Sequence, residues 1–306
     1  MFHQIIEVHE ENRYLSLERG FLKISEKDVC IGRVALDDIA VLLISSQGGS
    51  ISKNILVELA ERGAITIFCG KQYSPEAIVY PTTGNYRQAG ILKYQIDASI
   101  PFTKNIWKKL VQTKIENQAK SLELCEKNEK AKYVAKLSGE VKSGDSDNKE
   151  GQAARLYWSA LFGKKFLRDR HEEGINSLLN YGYAIMRSAM VRSLCSVGLN
   201  PALGVHHKNV LNPFCLADDF FEIYRPIVDC IVYSIIQNAE PIVCPDVKKI
   251  LIQALWVKIK TTEGYSPAFQ SMNYMCSSFV KALKNKEYNF AIPLWEGNYE
   301  QISFNE

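Results

Sequence analysis

Three short stretches set chemistry-capable side chains into otherwise apolar surroundings. Glu150-Gly151-Gln152-Ala153-Ala154-Arg155-Leu156-Tyr157-Trp158 opens a helical pattern with a carboxylate, and its next turn carries small residues that let another element approach closely. A Glu that merely favours the helix dipole fits the same pattern. Gly204-Val205-His206-His207-Lys208-Asn209 puts two adjacent imidazoles in a loop, where a solvated or hydrogen-bonded histidine is the common outcome. Leu216-Ala217-Asp218-Asp219-Phe220-Phe221-Glu222-Ile223-Tyr224-Arg225-Pro226 spaces Asp219 and Glu222 by about one helical turn, so they share a face. Two like charges there need a neutralising partner, either a cation or simply Arg225.

Together these stretches offer carboxylate, imidazole and carboxylate on separate segments. Oxygen-rich donors with one nitrogen suit Mg2+ or Mn2+, and the imidazole tilts the choice toward Mn2+. Such an ion polarises a phosphodiester and offsets charge on the attacking or departing oxygen. No thiolate is required. The eight cysteines are scattered without any C-x-x-C pair, which reads as reduced thiols in a cytoplasmic protein and excludes a zinc-finger arrangement.

The elements that must position these residues fall into two parts. The first reads as β. Tyr14–Leu17 and Phe21–Ile24 alternate around the turn Glu18-Arg19-Gly20, and Val29–Ile31, Ile39–Ile44, Ala64–Phe68 and Ala77–Tyr80 add strands. Residues 50–61 have helical spacing, with Ser52 as N-cap and Gly63 as stop. Pro81-Thr82-Thr83-Gly84-Asn85 breaks the pattern, which predicts a β-rich domain over 1–81, a linker over 82–89 and an α-helical domain over 90–306. In that second part, helices are expected over 91–98, 102–128, from Lys149 or Glu150 through Leu161, and over 174–197, 217–238, 246–260 and 266–285. Gly198 and Pro201 end the fourth of these. The highly charged segment 127–149 carries a polar loop, Ser143–Asn148.

Length and composition describe a soluble globular chain: 306 residues, 46% hydrophobic and 23% charged. The formal charge is only +3, but about 8 basic against about 11 acidic residues fall in 1–81, which leaves the second part net basic and the better place for a polyanion. The N-terminus lacks the basic and apolar regions of a signal peptide, and no apolar run is long enough for a membrane span.

The run Asn176-Ser177-Leu178-Leu179-Asn180-Tyr181-Gly182-Tyr183, then Gly198-Leu199-Asn200-Pro201-Ala202-Leu203-Gly204-Val205-His206-His207, then Asp219-Phe220-Phe221-Glu222-Ile223-Tyr224-Arg225-Pro226, preceded by Glu150-Gly151-x-Ala153-Ala154-Arg155, resembles the CRISPR spacer-acquisition integrase family. The likeness is to the catalytic subunit, the first of the two universal CRISPR-associated proteins, and is tightest from Glu150 to Asp229. It implies an α+β protein with an N-terminal β-sandwich-like dimerisation domain and a larger all-α catalytic, DNA-binding domain. It implies catalytic metal ligation by Glu150, His207 and Glu222, with Mg2+ or Mn2+ as cofactor, and the spacing from the Gly198 motif favours His207 over His206. Asp219 matches an acidic supporting position, and Arg225 stands beside it. The family often carries Asp where this chain has Glu222, which suggests the type II subtype that works with a single large effector nuclease.

The implied activity is insertion of short foreign-DNA fragments into a repeat array by attack of a 3′-hydroxyl. The implied partners are DNA, a second copy of the chain, a small second universal subunit completing a heterohexamer, and the effector nuclease machinery. Arg155, Lys164, Lys165, Arg168, Arg170, Arg187 and Arg192 are candidates for phosphate contact, because Arg and Lys pair with backbone oxygens. Each could equally be a solvated face or an ion pair with Asp169, Glu172 or Glu173. Tyr157, Trp158 and Tyr181 read as core. Two other functions fit the same residues: a structure-selective nuclease of branched DNA, and a DNA-binding scaffold without catalysis.

Overall fold

The structure, a computed structural model, describes residues 4–70, 75–79, 81 and 88–297. Most of the expected linker, residues 82–87, and the tail from 298 onward lie outside the described residues. The chain divides into two compact units, Met1–Ala89 and Gly90–Glu306.

Among the described residues, the first unit holds eight strands: β1 (Gln4–Val8), β2 (Arg13–Glu18), β3 (Phe21–Glu26), β4 (Val29–Ala35), β5 (Ile39–Ile44), β6 (Gly49–Ile51), β7 (Ile65–Cys69) and β8 (Pro75–Val79). Helix α1 (Lys53–Glu61) precedes β7. The strands form two four-stranded sheets, ordered β1-β5-β7-β8 and β4-β3-β2-β6. The hairpin expected around Arg19-Gly20 is β2–β3, with Leu15 opposite Ile24 and Leu17 opposite Leu22. Both turn residues adopt positive φ, +50° and +83°. Ser52 is the N-cap of α1 as its type suggests, although its hydroxyl makes no capping bond. Residues of both sheets and of α1 build one apolar cluster that includes Val8, Leu15, Leu22, Leu42, Ile55 and Leu59. The unit is therefore held by alternating apolar residues from each sheet, closed by the buried face of one helix.

The second unit is mainly helical: α2 (Gln88–Ile96), α3 (Ile100–Leu124), α4 (Asn128–Gly139), α5 (Lys149–Phe162), α6 (Ile175–Ser196), α7 (Cys215–Phe221), α8 (Arg225–Asn238), α9 (Pro245–Ile252) and α10 (Ala268–Asn285). α6 is buried along most of its length. Gly182 lets α8 approach it, because a Cβ there would meet Val228 Cγ1 at 2.5 Å.

Two expectations are corrected. The unit is not all-α: the helix expected over 246–260 stops at Ile252, and β9 (Lys258–Thr261) pairs antiparallel with β10 (Gly264–Pro267). Ile259 is buried between exposed Lys258 and Lys260, a two-residue period that a helix cannot use. Thr262 and Glu263 form the connection, and Gly264 takes φ +105°. Second, the helix expected over 217–238 is two helices joined by a 3-10 turn at Glu222–Tyr224. Pro226 has no N–H for the preceding turn, and the Ile223 carbonyl is met instead by Asn117 Nδ2 at 2.7 Å. The charged segment after Lys127 also holds α4, Asn128–Gly139, which buries Ala131, Val134 and Ser138 ahead of the Ser143–Asn148 loop.

Candidate active site

Glu150 sits in the first turn of α5, and its position is set by two acceptors just upstream. Asp145 takes the backbone N–H of Lys149 at 2.8 Å and of Glu150 at 3.1 Å, while Asn148 Oδ1 takes that of Gly151 at 3.0 Å. Asp145 and Asn148 both have φ near +50°, a conformation Asn and Asp tolerate. The polar loop thus ends in a double cap that satisfies the orphan donors of the helix.

Glu222 lies at the start of the 3-10 turn, on buried backbone. Its Oε2 is 2.5 Å from Lys114 Nζ, and the same ammonium is 2.6 Å from Glu150 Oε1. Lys114 comes from the middle of α3. Arg225 Nε lies 3.0 Å from Glu222 Oε1, and its guanidinium also covers the rings of Tyr183 and Phe221 at 4.7 Å. Burial pushes the Glu222 pKa up, but Arg225 and Lys114 outweigh it and hold the carboxyl at about 2. Burial likewise works against the Lys114 charge, and Glu222 and Glu150 reverse that, leaving its pKa raised. Glu222 therefore stays ionised, and the two carboxyl groups converge on the Lys114 ammonium.

The histidine loop is shaped by Asp219, which is completely buried in α7. Its Oδ2 accepts the backbone N–H of Val205 at 2.7 Å and of His206 at 3.0 Å. Its Oδ1 accepts that of His207 at 3.2 Å and stands 2.6 Å from His207 Nδ1. Gly204 is required here, because a Cβ would lie 2.3 Å from the His207 carbonyl oxygen. The bond to Asp219 raises the His207 pKa against partial desolvation. It also leaves Nε2 as the outward nitrogen. His207 is the open side of the site, with 43% of its side chain exposed against 9% for Glu222. His206 instead stacks on Trp107 of α3, with ring centroids 4.1 Å apart and planes 3° from parallel. Loss of solvent lowers its pKa.

The segments bearing Glu150, His207 and Glu222 thus meet, and the charge of His207 is felt at Glu222. Among the described residues, however, no three His, Cys, Asp or Glu side chains lie close enough together to hold a metal ion. The Lys114 ammonium stands between the two carboxylates. The donor chemistry still suits a hard divalent cation: two carboxyl groups already gather around positive charge, and the imidazole has its remote nitrogen anchored by a carboxylate.

The basic candidates divide by what they touch. Arg155, Lys164, Lys165 and Arg170 are exposed. Arg168 is engaged by Asn176 Oδ1 at 2.9 Å and Asn180 Oδ1 at 2.7 Å, with Tyr183 under its guanidinium. Asn176 and Asn180 also donate to the carbonyls of Leu167 and Arg170, at 3.0 and 2.9 Å. These motif asparagines thus fasten the loop after α5, which presents Lys164, Lys165 and Arg170. Arg187 grips Asp218 through Nε at 2.6 Å and Nη2 at 2.8 Å. Arg192 lies over Phe269, and burial lowers its pKa. Tyr157 and Tyr181 are core, and Trp158 is half-buried.

Sequence reasoning missed Lys114, Trp107 and the buried Asp229. Lys114 was findable, because it falls on the apolar stripe Leu110-Val111-Ile115-Ala119 of α3, where a lysine needs a partner. Asp229 receives the hydroxyls of Tyr157, at 2.9 Å, and of Tyr183. Burial pushes its pKa up to about 7 against these donors and the nearby Arg225.

Fold and site together define a two-unit α+β protein whose convergent acidic and imidazole groups all lie in the helical unit. Residues 6–241 match the family model described as CRISPR associated protein Cas1, and the chain belongs to that family. It is 37% identical over 293 residues to the CRISPR-associated endonuclease Cas1 of Neisseria meningitidis serogroup C (strain 8013), covering 94% of this chain and 96% of the relative. It is 31% identical over 249 residues to a Cas1 endonuclease of Francisella tularensis subsp. novicida (strain U112), covering 74% and 77%. Solved structures share the fold. A casposase bound to integration product superposes with a TM-score of 0.79 at 17% identity, covering 99% of this chain and 96% of that one. A chain of a Cas6-RT-Cas1–Cas2 complex gives 0.77 at 18% identity, covering 96% and 36%. A Cas1 protein from Thermotoga maritima gives 0.72 at 16% identity, covering 94% and 99%. No described helix is long and apolar enough to cross a membrane.

Proposed function

We propose that this chain is the integrase of CRISPR adaptation: it joins the 3′ ends of short DNA fragments to a repeat array by metal-dependent transesterification. The observation that carries this reading is the meeting of Glu150, from α5, and Glu222, from the 3-10 turn, at one buried positive centre beside the loop of His207. The fold shared with a casposase bound to integration product supports it, as does the Cas1 endonuclease relative that spans nearly the whole chain.

In this reading Glu150, His207 and Glu222 would hold Mg2+ or Mn2+, which polarises a phosphodiester and offsets charge on its oxygens. The remaining work falls to side chains of the protein. Asp219 fixes the imidazole through Nδ1 and so presents Nε2. Arg225 and Lys114 keep Glu222 ionised in a buried setting. The exposed Arg155, Lys164, Lys165 and Arg170 attract the DNA backbone. Homodimerisation through the β-rich unit, with its two sheets packed as a sandwich, belongs to the same proposal. So does a heterohexamer with the small second universal subunit, consistent with the Cas1–Cas2 content of the similar complex.

The test is strand joining of labelled fragments to a repeat-bearing duplex, with and without chelator. Wild type joins only with the divalent ion, and Glu150→Ala and His207→Ala lose joining while remaining folded. Wild-type joining in either variant removes the site assignment. Because the relatives are described as endonucleases, hydrolysis of branched DNA at the same residues is a second reading. Release of the branch without a joined product would favour it.

A further inference from the structure

The loop that carries His207 continues into a feature the site does not use. The N–H of Asn212 bonds to the Asn209 carbonyl at 2.9 Å, which closes a four-residue turn. Asn209 Oδ1 also accepts the N–H of Leu211 at 3.0 Å. The corners of this turn are Val210 and Leu211, exposed by 96% and 86%. Turn corners ordinarily carry Gly, Pro, Asn, Asp or Ser. Nothing in this turn's hydrogen bonding requires two adjacent aliphatic side chains in water, and each forgoes the stabilisation that burial would bring.

The turn is also braced at both ends. Asp219 holds the backbone of Val205, His206 and His207 on one side. On the other, Asn212 donates to Asp218 at 2.7 Å and accepts from Arg187 at 3.2 Å and from the Phe214 N–H at 3.0 Å. A floppy tip could fold its apolar side chains back onto the protein, whereas this one is held outward. Exposed Lys208 stands between the tip and His207, and its charge complements phosphate.

We propose that Val210 and Leu211 form an apolar wedge that enters the base stack of duplex DNA beside the phosphodiester acted on at the Glu150–His207–Glu222 site. The inference rests on the proposed action on DNA and deepens it. Two aliphatic side chains are far too little surface for a stable protein interface, which needs roughly 800 Å² per partner. They match instead the one base step that inserted Leu- or Ile-type side chains unstack in kinked DNA. Unstacking next to the reacting phosphate loosens the backbone there and widens access for the attacking 3′-hydroxyl.

The experiment uses the full chain, a branched DNA resembling a half-joined product, and 2-aminopurine placed one step from the junction. Binding is followed by anisotropy of a distant dye and unstacking by 2-aminopurine fluorescence. Wild type is expected to raise the fluorescence several-fold on binding. The double variant Val210→Ser, Leu211→Ser binds but leaves the fluorescence near that of free DNA. Its joining to a fully paired target falls, and a mismatch at that step restores joining. Equal fluorescence rises in wild type and variant would overturn the wedge while leaving the integrase reading intact. Failure of wild type to bind the branched DNA would overturn both.

Discussion

Asp219 Oδ1 lies 2.6 Å from His207 Nδ1, and the same buried carboxylate accepts three consecutive backbone N–H groups of the histidine loop. One side chain therefore sets the path of the loop and the orientation of its ring. Asp219→Ala would leave those donors without acceptors, at roughly 1–3 kcal/mol for each group that stays buried. The expected outcome is a lowered melting temperature with fast hydrogen exchange at Val205, His206 and His207. Unchanged exchange at these amides would refute the role.

Lys114 has a comparable part between Glu150 and Glu222. Removing one member of a buried charge network strands the others, so Lys114→Met should cost roughly 3–5 kcal/mol in urea unfolding. Glu150→Gln in the same background should recover part of that loss, because Lys114 is the cation beside Glu150 whereas Glu222 keeps Arg225. Additive effects of the two substitutions would show that the groups are not coupled.

Asp229 predicts a pH dependence. Its folded pKa of about 7 lies above the ordinary 3.8, so the folded state keeps a proton that the unfolded chain releases. This contribution is fully present below about pH 4 and is lost as pH rises to about 7, at no more than about 1.4 kcal/mol per unit. Asp229→Asn should flatten that slope. Urea midpoints of wild type and variant that run parallel from pH 4 to 7 would contradict it.

The basic candidates should separate into two groups. Arg155→Ala, Lys164→Ala, Lys165→Ala and Arg170→Ala are exposed changes, expected to leave stability within about 0.5 kcal/mol. Each that meets a phosphate should reduce the salt slope of DNA binding by about one. Arg187→Ala removes the partner of buried Asp218 and should lower the melting temperature first. Salt slopes that respond to Arg187 and not to the exposed residues would reverse this division.

The sequence by itself determined the α+β class, the β2–β3 hairpin, the extent of α5 and α6, and the polar stretches that matter. These are local matters: alternation marks a strand facing a core, a 3.6-residue period marks a helix, and Gly198-Leu199-Asn200-Pro201 ends α6 because its residues cannot continue it. It could not show that Lys114 stands between Glu150 and Glu222, because Lys114 looks like any charged helix residue until α3, α5 and the Glu222 turn are packed together. Nor could it separate Arg187, spent on Asp218, from Arg170, free at the surface, since identical side chains differ only in what the fold brings beside them. The β9–β10 hairpin was misread for the same reason. Residues 246–260 carry apolar side chains that suit either period, and only the packed unit chose the strand that buries Ile259. Which groups share a buried site is a long-range property, decided by which apolar faces must meet to leave water.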